Sequence, residues 1–191
     1  MDEQVVKELA PTGKLRAGIN MSNFLLVTGK AANGDPQGVS PDMAAEVARR
    51  LGVPLQLVPF PSPGQLADAV DDDVWDIGNI GAEPQRAEKI AFTAAYCEIE
   101  ATYLVPAGSP IQSIDDVDKP GVKISVTGRS AYGLWLENNI KQAELVRTDT
   151  LDSSFETFVD QKLDVLVVCQ FDRFAVIGDL SAAQLQAFDP R

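Results

Sequence analysis

Apolar residues fall into two alternating patterns along this chain. Short apolar runs read as buried strands at 15–19, 55–60, 75–80, 122–127, 144–146 and 164–169. Between them, apolar positions recur three and four residues apart, the spacing of helices that bury one face. One such helix is expected at 40–51, with Ser40 capping it, Pro41 opening it, Met43, Val47 and Leu51 facing inward, and Gly52 ending it. Others are expected around 65–70, at 130–138, and at 152–161, where Phe155, Phe158 and Val159 point inward. A glycine-rich loop runs through Gly29, Asn33, Gly34, Asp35 and Gly38, and 97–105 reads as extended. Strand and helix thus alternate in two β-α-β units, which predicts an α/β fold of two lobes. The boundary is expected at 103/104, giving lobe 1 as 1–103 and lobe 2 as 104–191, with a hinge near 98–108. Such sheets bind ligands beyond the carboxyl ends of their strands, so a cleft between the lobes is the expected site. There is no internal repeat and no low-complexity tract.

Composition narrows the chemistry. At 45% hydrophobic and 23% charged residues, the 191-residue chain has the make-up of a globular protein rather than a disordered one. A net charge of −12 argues against a nucleic-acid partner. The chain has 0 histidines, which removes the commonest metal ligand and general base and excludes a Ser-His-Asp enzyme. No metal and no cofactor are expected. Cys97 and Cys169 are too few for a zinc cluster and too far apart for a redox pair, and are expected as two buried thiols rather than a disulfide. No apolar run reaches the roughly 18 residues of a membrane span. The start, Met-Asp-Glu-Gln, carries no signal-peptide pattern, which suits a cytoplasmic protein and a mature exported domain equally. Asp71, Asp72 and Asp73 read as a solvated loop, and Tyr132 with Trp135 as a helical core pair.

Two stretches carry candidate chemistry. In the first, WDIGNIGAEPQRAEKIAFTAAY at 75–96, a strand ends at Ile80 and Pro84 opens a short helix with Arg86 in its first turn. A cation there opposes the helix dipole, so an anion should answer it. On spacing alone that anion is equally well Glu83, three residues back, or a carboxylate ligand gripped by the guanidinium. In the second, ISVTGRSAYGLW at 124–135, a strand runs through Gly128 to a helix starting at Ser130, with Arg129 between. Free amides at such a junction can hold an anion; taken alone, an ordinary capped helix is the simpler reading.

Together the two stretches resemble the extracellular solute-binding proteins of family 3, the type II periplasmic binding proteins that deliver polar amino acids to transporters. The first-lobe signature stands here as Gly78-Asn79-Ile80-Gly81-Ala82-Glu83-Pro84-Gln85-Arg86, followed by Phe92-Thr93-Ala94-Ala95-Tyr96. Further matches are 38–42 with Leu51-Gly52-Val53, Ser113-Ile114-Asp115-Asp116-Val117, and Lys162-Leu163-Asp164-Val165-Leu166-Val167, so the likeness covers nearly the whole chain. It implies the two-lobe type II fold with a central mixed sheet in each lobe. It also implies that Arg86 grips a ligand carboxylate and that Gly128, Arg129 and Ser130 meet it from the other lobe. Asn79 and Gly81 fall at turn positions that offer polar groups, and Asn23 or Phe24 falls where the family places an aromatic ring.

The departures are informative. Glu83 stands where the family has threonine, and Cys169 where it has the aspartate that meets an α-ammonium. Either Glu83 takes over the ammonium, or the ligand is another small carboxylate without one, a second acidic group facing Arg129. Asp172 would restore an acid if the alignment slips. The family normally runs on to cross back and finish the first lobe, so a chain stopping at Arg191 is expected to be truncated or to complete that lobe differently. The reading adopted is a non-enzymatic, monomeric binding component of an ABC importer outside the cytoplasm. It takes a small-molecule carboxylate or amino acid and passes it to a membrane permease. A ligand-sensing receptor domain and a periplasmic cyclohexadienyl dehydratase with Glu83 as its acid are the alternatives.

Overall fold

The computed structural model describes residues 3–169 and the strand at 185–187. The chain divides into two compact units, Met1–Phe92 and Thr93–Arg191.

The first unit is built on β1 (Leu15–Asn20), all of whose residues are buried. A short hairpin of β2 (Gly29–Lys30) and β3 (Pro36–Gln37) follows, then β4 (Leu55–Phe60) and β5 (Ile77–Asn79). β1 lies between β4 and β5 and is parallel to both. A strand covered on both faces reads as a continuous run rather than an alternation, which is how residues 15–19 stood out. The sequence did not point to α1 (Glu3–Leu9), which rests Val6 and Leu9 against Leu15, Ala48 and Leu51.

Helix α2 (Val39–Leu51) begins earlier than expected, capped by Gly38 rather than Ser40. Gly38 takes φ 131°, and a Cβ there would stand 2.5 Å from the Leu26 carbonyl oxygen, so no larger residue fits without a shift. The Ser40 N–H donates to that same carbonyl at 3.0 Å. Docking on residues 26–28 therefore sets the helix phase. The inward stripe becomes Ala44, Ala48 and Leu51, with Val47 half-buried, while Met43 is 36% exposed instead of inward. In α3 (Pro63–Asp68), capped by Ser62, Leu66 is fully buried against the sheet. The paired strand residues Gly18 and Gly78 make its socket, since a Cβ at either would come within 3.3 and 3.0 Å of the Leu66 side chain.

The aspartate run at 71–73 is exposed, as expected, while two of its members also form ion pairs. Arg16 is nearly buried; its Nη2 meets Asp73 and Asp76 at 2.7 Å each, and these bonds raise its pKa further. The Asp76 carboxylate also accepts the Arg16 main-chain N–H at 2.7 Å, tying the start of β1 to the approach to β5. Asp71 meets Lys89.

The second unit holds β6 (Ala101–Pro106), β7 (Lys123–Thr127), β8 (Glu144–Thr148), β9 (Val165–Cys169) and β10 (Leu185–Ala187). The order is β10-β6-β9-β7-β8, with β7 parallel to β8 and β9 and the other pairs antiparallel. Alternate residues serve opposite faces. Ile124, Val126, Val165 and Val167 join Leu136 on one side, and Leu104, Leu166 and Val168 join Phe158 and Leu163 on the other. α5 (Ala131–Asn139) turns Leu134 and Leu136 inward, so Trp135 between them is 54% exposed; of the expected aromatic pair, only Tyr132 packs against the core. α6 (Leu151–Asp160) is phased by a Thr150–Ser153 capping box, which buries Ser154 and Phe158 and leaves Val159 40% exposed rather than inward. Neither cysteine is in a disulfide, but Cys97 is exposed and Cys169 half-buried, so the expected pair of buried thiols is corrected. Among the described residues no helix is long and apolar enough to cross a membrane.

Candidate functional site

The first unit's candidate turn follows the carboxyl end of β5. There the Asn79 side chain donates to the Ser40 carbonyl at 2.7 Å, fastening the strand end to the first turn of α2. Next comes α4 (Pro84–Ala87), with Glu83 as its cap and Pro84 setting φ at its first position. One Glu83 carboxylate oxygen accepts the Gln85 N–H at 2.7 Å and the other the Arg86 N–H at 3.2 Å. Glu83 thus answers the positive end of α4 by engaging its first amides, that of Arg86 among them. Glu83 and Arg86 are both buried, each 6% exposed. Arg86 Nη1 donates to the Gly81 carbonyl at 2.8 Å, which folds the guanidinium back over the turn and fixes its plane. A planar cation held in one orientation suits a carboxylate, because two parallel N–H groups match its two oxygens.

The second unit's turn follows β7. The Gly128 N–H donates to the Thr148 carbonyl at 2.8 Å. Arg129 takes φ 59°, a left-handed conformation that costs a residue with a Cβ roughly 1 kcal/mol. Ser130 caps α5: its Oγ accepts the Gly133 N–H at 3.0 Å and donates to the Thr127 carbonyl at 2.7 Å. The Ala131 N–H has no acceptor among the described residues, leaving a donor at the positive end of the helix. Non-glycine residues in strained conformations gather at functional sites, and the φ of Arg129 had no sequence signal.

Residues 15–171 match the family model of the bacterial extracellular solute-binding proteins, family 3. The chain belongs to that family. A cyclohexadienyl dehydratase of Pseudomonas aeruginosa is 28% identical over 143 residues, 72% of this chain and 53% of that protein. The chain therefore spans about half the length of this curated relative. Among solved structures, it resembles the ancestral amino acid-binding protein AncCDT-1, a precursor of cyclohexadienyl dehydratase. The TM-score is 0.75 at 22% identity, over 97% of this chain and 81% of that one. It also resembles a Wolinella succinogenes protein solved with lysine, with a TM-score of 0.73 at 23% identity, over 93% and 77% of the two chains. These likenesses place it among the two-lobe family 3 folds.

The other residues the family resemblance singled out lie in three places. Asn23 closes the turn after β1, its main-chain oxygen accepting from Leu26 and Val27, and Phe24 beside it is 37% exposed. Cys169 ends β9, opposite Ala101 of β6. Asp172 lies outside the described residues. The reading of the sequence missed Asn20, which ends β1 and is 9% exposed. Its Oδ1 accepts the Ser22 main-chain N–H at 3.1 Å and hydroxyl at 2.8 Å. A main-chain N–H can only donate, so the amide orientation is fixed. Its Nδ2 then stands without an acceptor among the described residues, and buried donors seldom stay so. An asparagine ending the central strand was the available signal. No group of three or more His, Cys, Asp or Glu side chains among the described residues is placed to hold a metal.

Proposed function

We propose that this family 3 chain is the binding component of an importer, taking an amino acid or other small carboxylate outside the cytoplasm. Arg86 grips the carboxylate, while Ser130, the Ala131 amide and Arg129 act on the same ligand from the second unit. Asn20 and Asn79 supply neutral polar groups. Closure by rotation about 98–108 presents a new surface to a membrane permease. The observation that carries this reading is the buried, pre-oriented Arg86 guanidinium at the carboxyl end of a parallel sheet. The lysine bound by the Wolinella protein and the amino acid-binding character of AncCDT-1 support the ligand class.

A thermal-shift screen tests it, with one panel of natural amino acids and one of small carboxylates lacking an amine. Ligand at a hundredfold its Kd adds about 2.7 kcal/mol. A shift with amino acids assigns the ammonium to Glu83 or to Asp172, and a shift only with amine-free acids ties the ligand class to Cys169. Arg86→Ala should weaken the responding acid about a hundredfold, near 3 kcal/mol. Unchanged affinity in that variant overturns the reading.

The Pseudomonas relative supports a second reading, a dehydratase acting on a cyclohexadienyl acid. Glu83 is then the acid, although the cap already engages both its oxygens. Turnover of prephenate or arogenate that disappears in Glu83→Gln would put this reading first.

A further inference from the structure

A cluster of buried hydroxyls joins α6 to the ends of β7 and β8. Ser154, 1% exposed, holds its Oγ 2.8 Å from Thr127 Oγ1, 2.5 Å from Thr148 Oγ1 and 3.1 Å from the Thr150 carbonyl oxygen. For these three contacts one proton arrangement serves, while Thr148 Oγ1 also lies 3.2 Å from the Thr150 carbonyl and 3.5 Å from the Val126 carbonyl, which compete for its single proton. Ser154 donates to the Thr150 carbonyl, and the Thr127 and Thr148 hydroxyls both donate into Ser154 Oγ, using its single donor and two lone pairs. The Ser154 carbonyl in turn accepts from Ser125 Oγ at 2.7 Å.

Thr127 and Thr148 are the last residues of β7 and β8 and face each other in the ladder. The 128–130 turn hangs on their carbonyls, since Gly128 donates to Thr148 at 2.8 Å and Ser130 Oγ to Thr127 at 2.7 Å. The Thr127 carbonyl is also wedged from α5, where a Cβ on Gly133 would come within 2.5 Å of it. We infer that Ser154 is a positioning residue for the 128–130 turn. Its hydroxyl pins the two strand ends, and their carbonyls pin the turn. Its part in binding rests on the reading of that turn as half of the ligand grip.

A buried serine that served only packing would loosen the whole second unit when removed. A positioning serine loosens the turn first. Amide hydrogen exchange on the full chain separates the two. In Ser154→Ala, the Gly128, Ser130 and Gly133 amides should exchange about tenfold faster, the loss of one or two net hydrogen bonds, while β9 keeps its rates. Thr127→Val should give the same local pattern, and Ser154→Cys, with a weak donor of similar shape, should recover part of the protection. Leu136→Ala, a core cavity, should accelerate exchange throughout the unit. Uniform acceleration through β7, β9 and α5 in Ser154→Ala, or no change at the turn, would overturn the inference. If Ser154→Ala does not fold, Thr127→Val and Ser154→Cys carry the same test. No ligand enters the measurement, so its outcome is independent of the Arg86→Ala titration.

Discussion

The turns at 81–86 and at 128–130 both follow a parallel strand and both open a helix, yet they are held by opposite means. The first uses neighbours in the chain: Gly81, Glu83 and Arg86 bond to one another around Pro84, and a carboxylate closes a helix of only 4 residues. The second draws on distant chain. Its 9-residue helix is capped by a hydroxyl, its turn hangs on Thr127 and Thr148, and Arg129 is held in a strained conformation by what surrounds it. A charged, local turn is altered most directly through its own few residues. A turn built from tertiary contacts can be altered from α6 or from the far side of α5.

The sharpest test of that difference is Gly133→Ala. Alanine ordinarily favours a helix by nearly 1 kcal/mol over glycine. Here its methyl would meet the Thr127 carbonyl oxygen at 2.5 Å, and a main-chain atom cannot give way cheaply. The expected result is a loss of about 2 kcal/mol, confined to the second unit. Gly128→Ala, whose methyl would sit 3.4 Å from the Thr148 carbonyl, should stay within about 0.5 kcal/mol. The 2 tryptophans make this measurable, since Trp75 lies in the first unit and Trp135 in the second. Urea unfolding of variants keeping one tryptophan reports each unit separately. A larger effect on the Trp75 signal would show that the units do not unfold independently.

The caps come next in size. Glu83→Ala and Ser130→Ala should each cost about 1 kcal/mol, the first seen through Trp75 and the second through Trp135. The comparison breaks if Ser130→Ala costs nothing, because the hydroxyl would then not close the second turn. Arg129→Gly works in the other direction. Removing the Cβ from a residue at φ 59° should stabilise the second unit by about 0.5 to 1 kcal/mol while weakening the binding of any acid that shifts the parent. A destabilised Arg129→Gly would mean that the arginine's contacts outweigh its strain.

Much of this was legible in the sequence. Apolar runs located β1, β7 and β9, which are buried on both faces along most of their length, and also β4, an edge strand whose Gln56 and Pro59 are exposed. The 81–86 turn was legible because its parts are neighbours in the chain; even the Glu83–Arg86 relation was visible, and it runs through the main-chain amides of Gln85 and Arg86. What the sequence concealed was set by tertiary contact. The phase of α2 depends on Gly38 packing against Leu26, and that rotates Met43 outward. Ser154 occupies an inward helix position that an apolar count assigns to others, because its partners lie on two strands. Arg16 is a charged residue in a buried strand, and only the approach of Asp73 and Asp76 makes that tolerable.

The same contrast between charge-held and backbone-held carboxylates can be sharpened with acid. Glu46 in the first unit is drawn down to about 2 by hydrogen bonds from Arg49 and Arg50. Asp118 in the second is lowered by the main-chain N–H groups of Ala143, Gln142 and Lys141, which it holds at 2.7 to 3.1 Å. Folding lowers both, so each contributes its full stability above the unfolded value near pH 4 and loses it as the pH falls through the folded value. Both units should therefore soften below pH 4, and Glu46→Gln or Asp118→Asn should flatten that slope in its own unit. Salt separates them. Molar salt shortens the screening length to about 3 Å and should remove most of the Glu46 contribution, an exposed ion pair. Main-chain dipoles at hydrogen-bond distance are screened far less, so the Asp118 slope should survive. Unfolding followed through Trp135 between pH 5 and 2, at low and high salt, decides it. Because the Asp116–Lys119 ion pair adds its own salt-sensitive slope to this unit, the deciding quantity is the difference between the parent and Asp118→Asn. If that difference collapses with salt, the Lys141 charge, rather than the three amides, holds Asp118 down.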